Sequence, residues 1–224
     1  MSVDLSGCAE KRGECGGFIN CPLANYPAPD TTEALLALLG EPPRGAWLDL
    51  GCGAGKTVVK LRELGCDALG VDNSPRDGAE NATKADMRAL PFDSASFDGC
   101  IAECSLSVCG DAAAALREAA RVLKPDGALL VSDVYFRCSD APALSLGEGA
   151  TLARWRDIIE NAGFEIISHA DASAAWRSYI ARLIWQGAEP EELFGGGAKG
   201  AGYVLIRAVK KTVRGVKAAA PCQS

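Results

Sequence analysis

The residues of this chain that could do chemistry begin with an acidic side chain and three glycines spaced two residues apart. Asp49 lies between two leucines that indicate a buried strand, and Gly51, Gly53 and Gly55 follow it. Glycines at this spacing let a backbone turn sharply and let a ligand approach without Cβ atoms in the way. A strand that turns directly into a helix also points free backbone N–H groups at that ligand. The pattern predicts a turn that binds a nucleotide-type ligand.

The spacing of the glycines distinguishes three kinds of nucleotide-binding turn. A dinucleotide fingerprint, G-x-G-x-x-G, needs a glycine at position 56, where the chain has Lys56. A Walker loop ending in Gly55-Lys56-Thr57 needs its first glycine at position 50, where the chain has Leu50. The pattern that remains is an acidic residue followed by x-G-x-G-x-G.

Two further carboxylates follow the next predicted strands. Asp72 ends a predicted strand over residues 66–72, and Asp86 ends a short one over residues 82–86. The carboxyl ends of parallel strands border the crevice in which such sheets bind ligands, and a carboxylate about 20 residues after the glycine turn can accept the ribose hydroxyls. The alternative for Asp72 is a turn-forming role before Asn73-Ser74-Pro75. The spacing favours the nucleotide.

These features resemble the first motif of the class I methyltransferases that use S-adenosylmethionine. Two later phrases, LPFDSASFD over residues 90–98 and RVLKPDG over 121–127, resemble the subgroup that contains the quinone-biosynthesis methyltransferases and related small-molecule enzymes. The resemblance covers about residues 30–210. It implies an enzyme that transfers a methyl group from S-adenosylmethionine to a small-molecule acceptor by in-line displacement at the sulfonium.

The resemblance also implies which residues hold the cofactor. Asp49 and the glycine turn would hold its amino-acid end, Asp72 its ribose, and Asp86 with Met87 its adenine. The whole expected cofactor set is Asp49, Gly51, Cys52, Gly53, Gly55, Asp72, Asn73, Asp86, Met87 and Glu103.

The end of the fourth predicted strand, residues 97–103, supplies the candidate catalytic residues. In the fold of the resembling family, the residues just past this strand face the methyl group and the acceptor, which points to Glu103 and Cys104. A general base is needed only when the nucleophile arrives protonated. Glu103 can serve as that base, and a capping or structural role for it is equally open.

The chain contains ten cysteines, which is many for its length. A disulfide scaffold is disfavoured because the chain is large and rich in regular structure, and the sequence has no C-x-x-C pair to suggest zinc. We expect three cysteines to be small buried side chains and six to lie in loops or at strand ends, where they could have chemistry. The first group is Cys52, Cys66 and Cys100, and the second is Cys8, Cys15, Cys21, Cys104, Cys109 and Cys138.

One branch of the resemblance gives the loop cysteines a role. Arsenite methyltransferases share this fold and hold trivalent arsenic with cysteines that precede the first motif and follow the fourth strand. Cys15 and Cys21 precede the motif here, Cys104 and Cys109 follow the strand, and soft thiolates select metalloids. The spacings do not match position by position. A thiol-bound metalloid such as arsenite is therefore one candidate acceptor, idle cysteines are the alternative, and no resident metal is predicted.

The alternation of strand-like and helix-like segments predicts a Rossmann-like α/β fold. We expect a seven-stranded, mostly parallel sheet with an antiparallel last strand and helices on both faces. Residues 31–211 form the predicted methyltransferase domain, residues 1–30 an irregular cysteine-containing arm, and residues 212–224 a basic flexible tail. The one histidine, His169, is placed at the end of the sixth strand.

Two local signals refine the ends of these elements. Asp30 and Glu33 predict a capping box at the start of the first helix. The segment Lys124-Pro125-Asp126-Gly127 predicts a turn in which proline presets φ and the glycine takes a positive φ.

Composition and charge limit the partners of the chain. The formal net charge of −6 argues against a broad phosphate-binding surface, so we expect no nucleic-acid partner. No apolar run approaches the roughly 20 residues of a membrane span. The first residues lack the apolar core of a signal peptide, and a cytoplasmic location is the expectation.

Two other classes of function stay open at this point. A nicotinamide oxidoreductase would bind NAD(H) instead of S-adenosylmethionine, and Lys56 in the glycine turn disfavours it. A non-catalytic protein on the same fold would bind a ligand and sense it through its cysteines, without turnover.

Overall fold

A computed structural model of the chain describes residues 30–137, 150–187 and 200–212. These residues form seven strands and five helices. The strands are β1 (Ala46–Leu50), β2 (Asp67–Asp72), β3 (Ala82–Lys84), β4 (Phe97–Glu103), β5 (Leu123–Phe136), β6 (Phe164–Asp171) and β7 (Ala201–Lys210). The helices are α1 (Thr32–Ala37), α2 (Lys56–Glu63), α3 (Ala112–Val122), α4 (Leu152–Asn161) and α5 (Ser173–Trp185), with a 3₁₀ turn at Leu106–Val108.

The strands form one sheet in the order β3-β2-β1-β4-β5-β7-β6. The first five in this order run parallel to one another. Strand β7 runs antiparallel to both of its neighbours, β5 and β6. The predicted fold class, a mostly parallel Rossmann-like sheet closed by an antiparallel last strand, is confirmed. The order in which strands join the sheet reverses between β1 and β4, and a parallel sheet opens a crevice at its carboxyl edge at such a point.

Helices cover both faces of the sheet, as the alternation predicted. On one face, α3 and α4 bury Leu116, Trp155 and Ile158 against β4, β5 and β7. On the other face, α1, α2 and α5 bury Leu35, Leu61 and Trp176 against the same sheet. The central strands are apolar on both faces because both are covered. The sheet is thereby held rigid around its carboxyl edge.

The predicted capping box is wrong. Thr31, not Asp30, occupies the N-cap of α1, and no side chain caps the helix there. Glu33 instead accepts a hydrogen bond from Lys60 Nζ on α2 at 2.8 Å. A cation within reach on a neighbouring helix competes successfully with the local backbone N–H.

The predicted turn at residues 124–127 lies inside β5, where the pairing register with β4 shifts, and the positive φ falls on a different residue. Asp126 has φ +60°, whereas Gly127 has no such φ. Glycine is still required at 127, because a Cβ there would lie 2.9 Å from the Lys124 carbonyl oxygen. Close approach, and not backbone freedom, explains this glycine.

The N-terminal arm and the basic tail lie outside the described residues, apart from residues 30 and 212. In the described ranges no helix is long and apolar enough to cross a membrane.

Candidate functional site

The glycine turn joins β1 to α2 at the carboxyl edge of the sheet. Gly51, Gly53 and Gly55 all have positive φ, at +83°, +52° and +75°. The turn is fixed to β2, since the N–H groups of Gly51 and Cys52 donate to the Val71 carbonyl oxygen at 2.8 and 3.0 Å. Such backbone is strained for any residue with a Cβ, which explains why the local sequence consists of alternating glycines.

The first and second glycines of the turn have different surroundings. A Cβ on Gly51 would lie 2.5 Å from Ser105 Cβ and 3.2 Å from Met87 Cε. A Cβ on Gly53 would meet nothing within 4 Å. Gly51 is therefore a contact point for β4 and for the Met87 segment, and Gly53 borders open space where a ligand could approach. Ser105, which the sequence analysis did not single out, also donates to the Leu50 carbonyl oxygen at 2.6 Å.

Three carboxylates converge beside this turn, on Asp49, Asp72 and Glu103. Asp49 is only 3% exposed, and its pKa is raised well above the usual range by burial first and then by Glu103 and Asp72. Within the described part of the chain, no group donates a hydrogen bond to the Asp49 carboxylate. A buried carboxylate anion costs free energy unless a cation or a hydrogen-bond donor pairs with it. The cluster suits a ligand that brings positive charge.

Glu103 is held by hydroxyl groups from two helices. Thr32 Oγ1 donates to both of its carboxylate oxygens at 3.0 and 3.1 Å, and Thr57 Oγ1 donates at 2.8 Å. Burial raises the pKa of Glu103, and the hydroxyl hydrogen bonds oppose that rise. Its oxygens are thus engaged in joining α1 and α2 to the end of β4. Sequence reasoning missed both threonines because they lie far away along the chain.

The Asp72 carboxylate shapes the loop that follows β2. Its oxygens accept from Gly53 N at 2.9 Å and from Ser74 N at 2.8 Å. Asp72 can therefore both form the turn and accept from ribose hydroxyls. A carboxylate has about four acceptor positions, and only two are used here. Asn73 follows it, half-buried at the same edge.

Asp86 lies just beyond the end of β3, paired with Arg88. The Arg88 guanidinium contacts both carboxylate oxygens, at 2.7 to 3.1 Å. This hydrogen bonding is the main reason that the pKa of Asp86 is lowered. Asp86 is therefore a fixed anion that keeps limited capacity for another donor. The neighbouring Met87 is buried against Gly51.

Cys104 follows Glu103 with a left-handed φ of +50°. Its Sγ lies 3.0 Å from the Tyr203 hydroxyl oxygen, and that hydroxyl donates to Ser132 Oγ at 3.1 Å. Tyr203 is fully buried, and burial raises the pKa of its hydroxyl far above the usual range. Sequence reasoning missed Tyr203 because it comes from β7, about a hundred residues later.

Five of the cysteines lie within the described residues, and they are Cys52, Cys66, Cys100, Cys104 and Cys109. Cys52, Cys66 and Cys100 are buried, as predicted. Cys109 lies in a loop, as predicted, but it is buried there and donates to the Leu106 carbonyl oxygen at 3.2 Å. Burial raises the pKa of Cys109 to about 11. Cys8, Cys15, Cys21 and Cys138 lie outside the described residues, and among those described no group of three or more His, Cys, Asp or Glu side chains could hold a metal ion.

The residues at this edge fit S-adenosylmethionine. Its ammonium and sulfonium groups supply the positive charge that the buried Asp49 carboxylate lacks. The open space at Gly53 admits the approach of a ligand to the backbone, and Asp72 retains acceptor capacity for hydroxyls. His169 is not part of this arrangement, because it lies on β6 at the far edge of the sheet.

Comparison with known proteins agrees with this geometry. The methyltransferase domain family matches residues 48–131. The chain is 32% identical over 107 residues to a malonyl-[acyl-carrier protein] O-methyltransferase of Pseudescherichia vulneris, covering 44% of this chain and 43% of that protein. It is 31% identical over 172 residues to the methyltransferase GfsG of Streptomyces halstedii, covering 65% and 62%.

A solved structure shows the same fold. The geranyl diphosphate C-methyltransferase of Streptomyces coelicolor A3(2), crystallised with S-adenosyl-L-homocysteine, superposes with a TM-score of 0.65 at 17% identity, over 80% of this chain and 78% of that one. The match to the malonyl-[acyl-carrier protein] enzyme spans less than half of that relative's length. Residues 48–131 are therefore similar to the methyltransferase domain family, and the chain shares the fold of that solved methyltransferase structure.

Proposed function

We propose that this chain transfers a methyl group from S-adenosylmethionine to a small-molecule acceptor. The observation that supports this most directly is the buried Asp49 carboxylate beside the glycine turn, with Asp72 and Glu103 close enough to raise its pKa. A ligand with two cationic groups stabilises such a cluster, and a nicotinamide dinucleotide with its diphosphate would meet three carboxylates there.

The proposed roles of the residues follow the positions around the turn. Asp49 and the N–H groups of the turn hold the amino-acid end of the cofactor. Asp72 accepts from the ribose hydroxyls with the oxygen positions left over from Gly53 and Ser74. Asp86 and Met87 border the adenine position, where Met87 supplies an apolar surface.

The chemistry depends mainly on alignment. S-adenosylmethionine supplies a methyl group on an excellent leaving group. The protein therefore has to hold nucleophile, methyl and sulfur in line, and such positioning is worth up to several kcal/mol. Rigid elements suit this task, because the end of β4 is fixed by Glu103 to both α1 and α2.

We assign Glu103 to positioning, not to proton transfer. Two threonine hydroxyls already occupy its oxygens, whereas a general base must reach the proton of the acceptor directly or through one water. Cys104, half-buried at the end of β4, is the side chain that we place beside the acceptor.

The acceptor is proposed at the level of a small molecule. The malonyl-[acyl-carrier protein] relative is named an O-methyltransferase, which makes an oxygen nucleophile the first class to test. Arsenite is less well supported, because Cys109 is buried and Cys104 is the one half-buried thiol among the described cysteines.

The test is calorimetry with S-adenosylmethionine, S-adenosylhomocysteine and NADH, followed by transfer of labelled methyl to a panel of carboxylates, phenols, amines and arsenite. We expect both adenosyl ligands to bind, NADH not to bind, and methyl transfer to at least one acceptor. Binding without transfer to any member would favour the ligand-sensing alternative. Binding of NADH in place of the adenosyl ligands would overturn the proposal.

A further inference from the structure

A second cleft lies at the other end of the sheet, away from the glycine turn. It occupies about 200 Å³ between α4 and the β6–β7 edge. Its apolar lining comes from two helical side chains and three strand side chains, and two side chains with N–H donors lie beside them. The apolar residues are Leu152, Ala153, Ile166, Val204 and Ile206, and the donors are Arg156 and His169.

A β-bulge places the histidine in this cleft. Ile166 pairs with Ala208, but the next paired residue of β6 is Ser168, opposite Arg207, so Ile167 is an extra residue. His169 consequently pairs with Ile206 and shares the face of Ile166. Strict alternation from Ile166 would have placed His169 on the opposite face of the sheet. Bulges of this kind re-aim side chains, often next to functional sites.

The fold does not use the side chains of Arg156 and His169. Both are exposed, and no residue in the described ranges forms an ion pair or hydrogen bond with Arg156 or His169. Glu160 lies one turn along α4 from Arg156, yet the two make no ion pair. The carboxylate on the same face of β6, Asp171, is engaged by Ser173 and by Arg137 at 3.7 Å. The cleft therefore presents donors for an anion above an apolar floor.

We propose that this cleft binds a small amphipathic carboxylate. The hydrocarbon part would pack on Leu152, Ile166 and Ile206, and the carboxylate would accept from the Arg156 guanidinium and a ring N–H of His169. At about 30 Å³ for each water-sized group, the cleft holds roughly six or seven non-hydrogen atoms. That volume accommodates the hydrocarbon chain of a short-chain fatty acid such as hexanoate, whose two carboxylate oxygens would lie outside it at the rim.

This site is separate from the methyl-transfer crevice. Strands β5 and β7 lie between β4 and β6, and neighbouring strands are about 4.8 Å apart, so the cleft is roughly 10 Å or more from the end of β4. The proposal does not rest on methyl transfer and stands or falls independently of it.

The first test titrates isotope-labelled protein with sodium hexanoate and follows backbone amide signals by NMR. We expect saturable shifts that are concentrated in α4 and the β6–β7 edge. Hexan-1-ol has the same chain without the charge, and acetate has the charge without the chain, so both should bind at least about fivefold more weakly. Equal responses to hexanoate and hexan-1-ol, or no saturable response to hexanoate, would overturn the proposal.

Variants of the lining distinguish binding of hexanoate in the cleft from non-specific binding elsewhere on the protein. Arg156→Gln should weaken hexanoate binding at least about fivefold. Arg154→Gln makes the same charge change on the same helix outside the lining and should leave binding unchanged. Ala153→Trp, which places a large ring at the lining, should abolish binding while the remaining amide signals stay native. Unchanged affinity in both Arg156→Gln and Ala153→Trp would show that hexanoate binds elsewhere.

Discussion

The two halves of the sheet place their functional side chains in different ways. In the half formed by β3, β2, β1 and β4, the site residues lie at or just after the carboxyl ends of parallel strands. In the half formed by β5, β7 and β6, the strand that completes the sheet arrives last and runs antiparallel. The pairing register of this strand with β5 and β6 decides which residues its side chains contact.

The difference shows how local sequence becomes a site. Parallel strands all end at one edge, so residues just after them converge wherever they lie along the chain. Asp49, Asp72 and Glu103 meet for this reason. In the antiparallel half, one extra residue in β6 decides which face His169 occupies. Residue spacing along the sequence predicts the site of the first half, whereas strand-pairing register decides which side chains share a face in the second half.

The largest expected effect on stability comes from replacing a glycine of the turn in the first half. Gly51→Ala combines a φ of +83° with a Cβ 2.5 Å from Ser105 Cβ. We expect it to lower the free energy of unfolding by about 2–5 kcal/mol, from backbone strain and overpacking together. Gly53→Ala has open space and should cost about 1 kcal/mol. Urea denaturation measures both, and equal stability of the two variants would contradict the contact assigned to Gly51.

A glycine of the second half provides the control for ligand binding. A Cβ on Gly202 would lie 2.5 Å from the Tyr135 ring, with no positive φ. Gly202→Ala should cost about 1–3 kcal/mol of stability through overpacking. At a temperature where both variants are folded, only Gly51→Ala should weaken binding of S-adenosylhomocysteine in calorimetry. Loss of binding in Gly202→Ala would mean that the halves are coupled.

A buried carboxylate in β5 gives the next largest effect. Asp133 is 1% exposed, and burial raises its pKa from 3.8 to about 6. An acid whose pKa is raised by folding stabilises the folded state below its unfolded pKa, and this contribution is lost as the pH rises through the folded pKa. Stability should therefore fall between about pH 4 and pH 6, by up to about 3 kcal/mol from this residue.

Asp133→Asn isolates that contribution, because the amide oxygen can still accept from Ser107 N. The pH dependence of urea denaturation should be shallower in this variant than in the wild type. Burial also raises the pKa of Asp49 and Glu103, so part of the slope should persist. Asp157→Asn, an exposed change on α4, is the control. A slope identical to that of the wild type would show that Asp133 does not titrate in this range.

Two aspartates with the same local hydrogen bond test whether only the first half binds cofactor. Asp72 accepts from Ser74 N at the end of β2, and Asp171 accepts from Ser173 N at the end of β6, both at 2.8 Å. Asp72→Ala should lower affinity for S-adenosylmethionine at least about tenfold, because hydrogen bonds to charged groups are worth about 1.5–3 kcal/mol. Asp171→Ala should leave the calorimetric affinity unchanged. Equal affinities would place the ribose elsewhere.

The smallest effect concerns a contact that joins the halves. Tyr203 on β7 lies between Cys104 at the end of β4 and Ser132 on β5. Tyr203→Phe should lower the free energy of unfolding by about 1 kcal/mol. A double-mutant cycle with Cys104→Ala, measured by denaturation, should give a coupling of about 0.5 kcal/mol or more. Strict additivity would mean that the thiol and the hydroxyl do not interact.

Much of the fold and part of the candidate site could be predicted from the sequence. The glycine turn, the apolar strands and the position of Asp72 are local signals, and the structure has them at the expected edge. The Thr32 and Thr57 contacts to Glu103 could not be predicted, because neither threonine differs locally from a solvated one. The burial of Cys109 could not be predicted either, because its position after a predicted strand does not show which elements cover it.

The sequence by itself determined the succession of strands and helices along the chain, the glycine turn and the acidic positions at the strand ends. Periodicity and backbone conformational limits act over a few residues, and parallel topology then brings those residues to one edge. Only the tertiary structure decided that Glu103 is engaged by hydroxyls, that Tyr203 reaches Cys104, and that a bulge turns His169 toward Arg156. These features depend on long-range packing and on pairing register. A single inserted residue changes the register without leaving a recognisable pattern in the sequence.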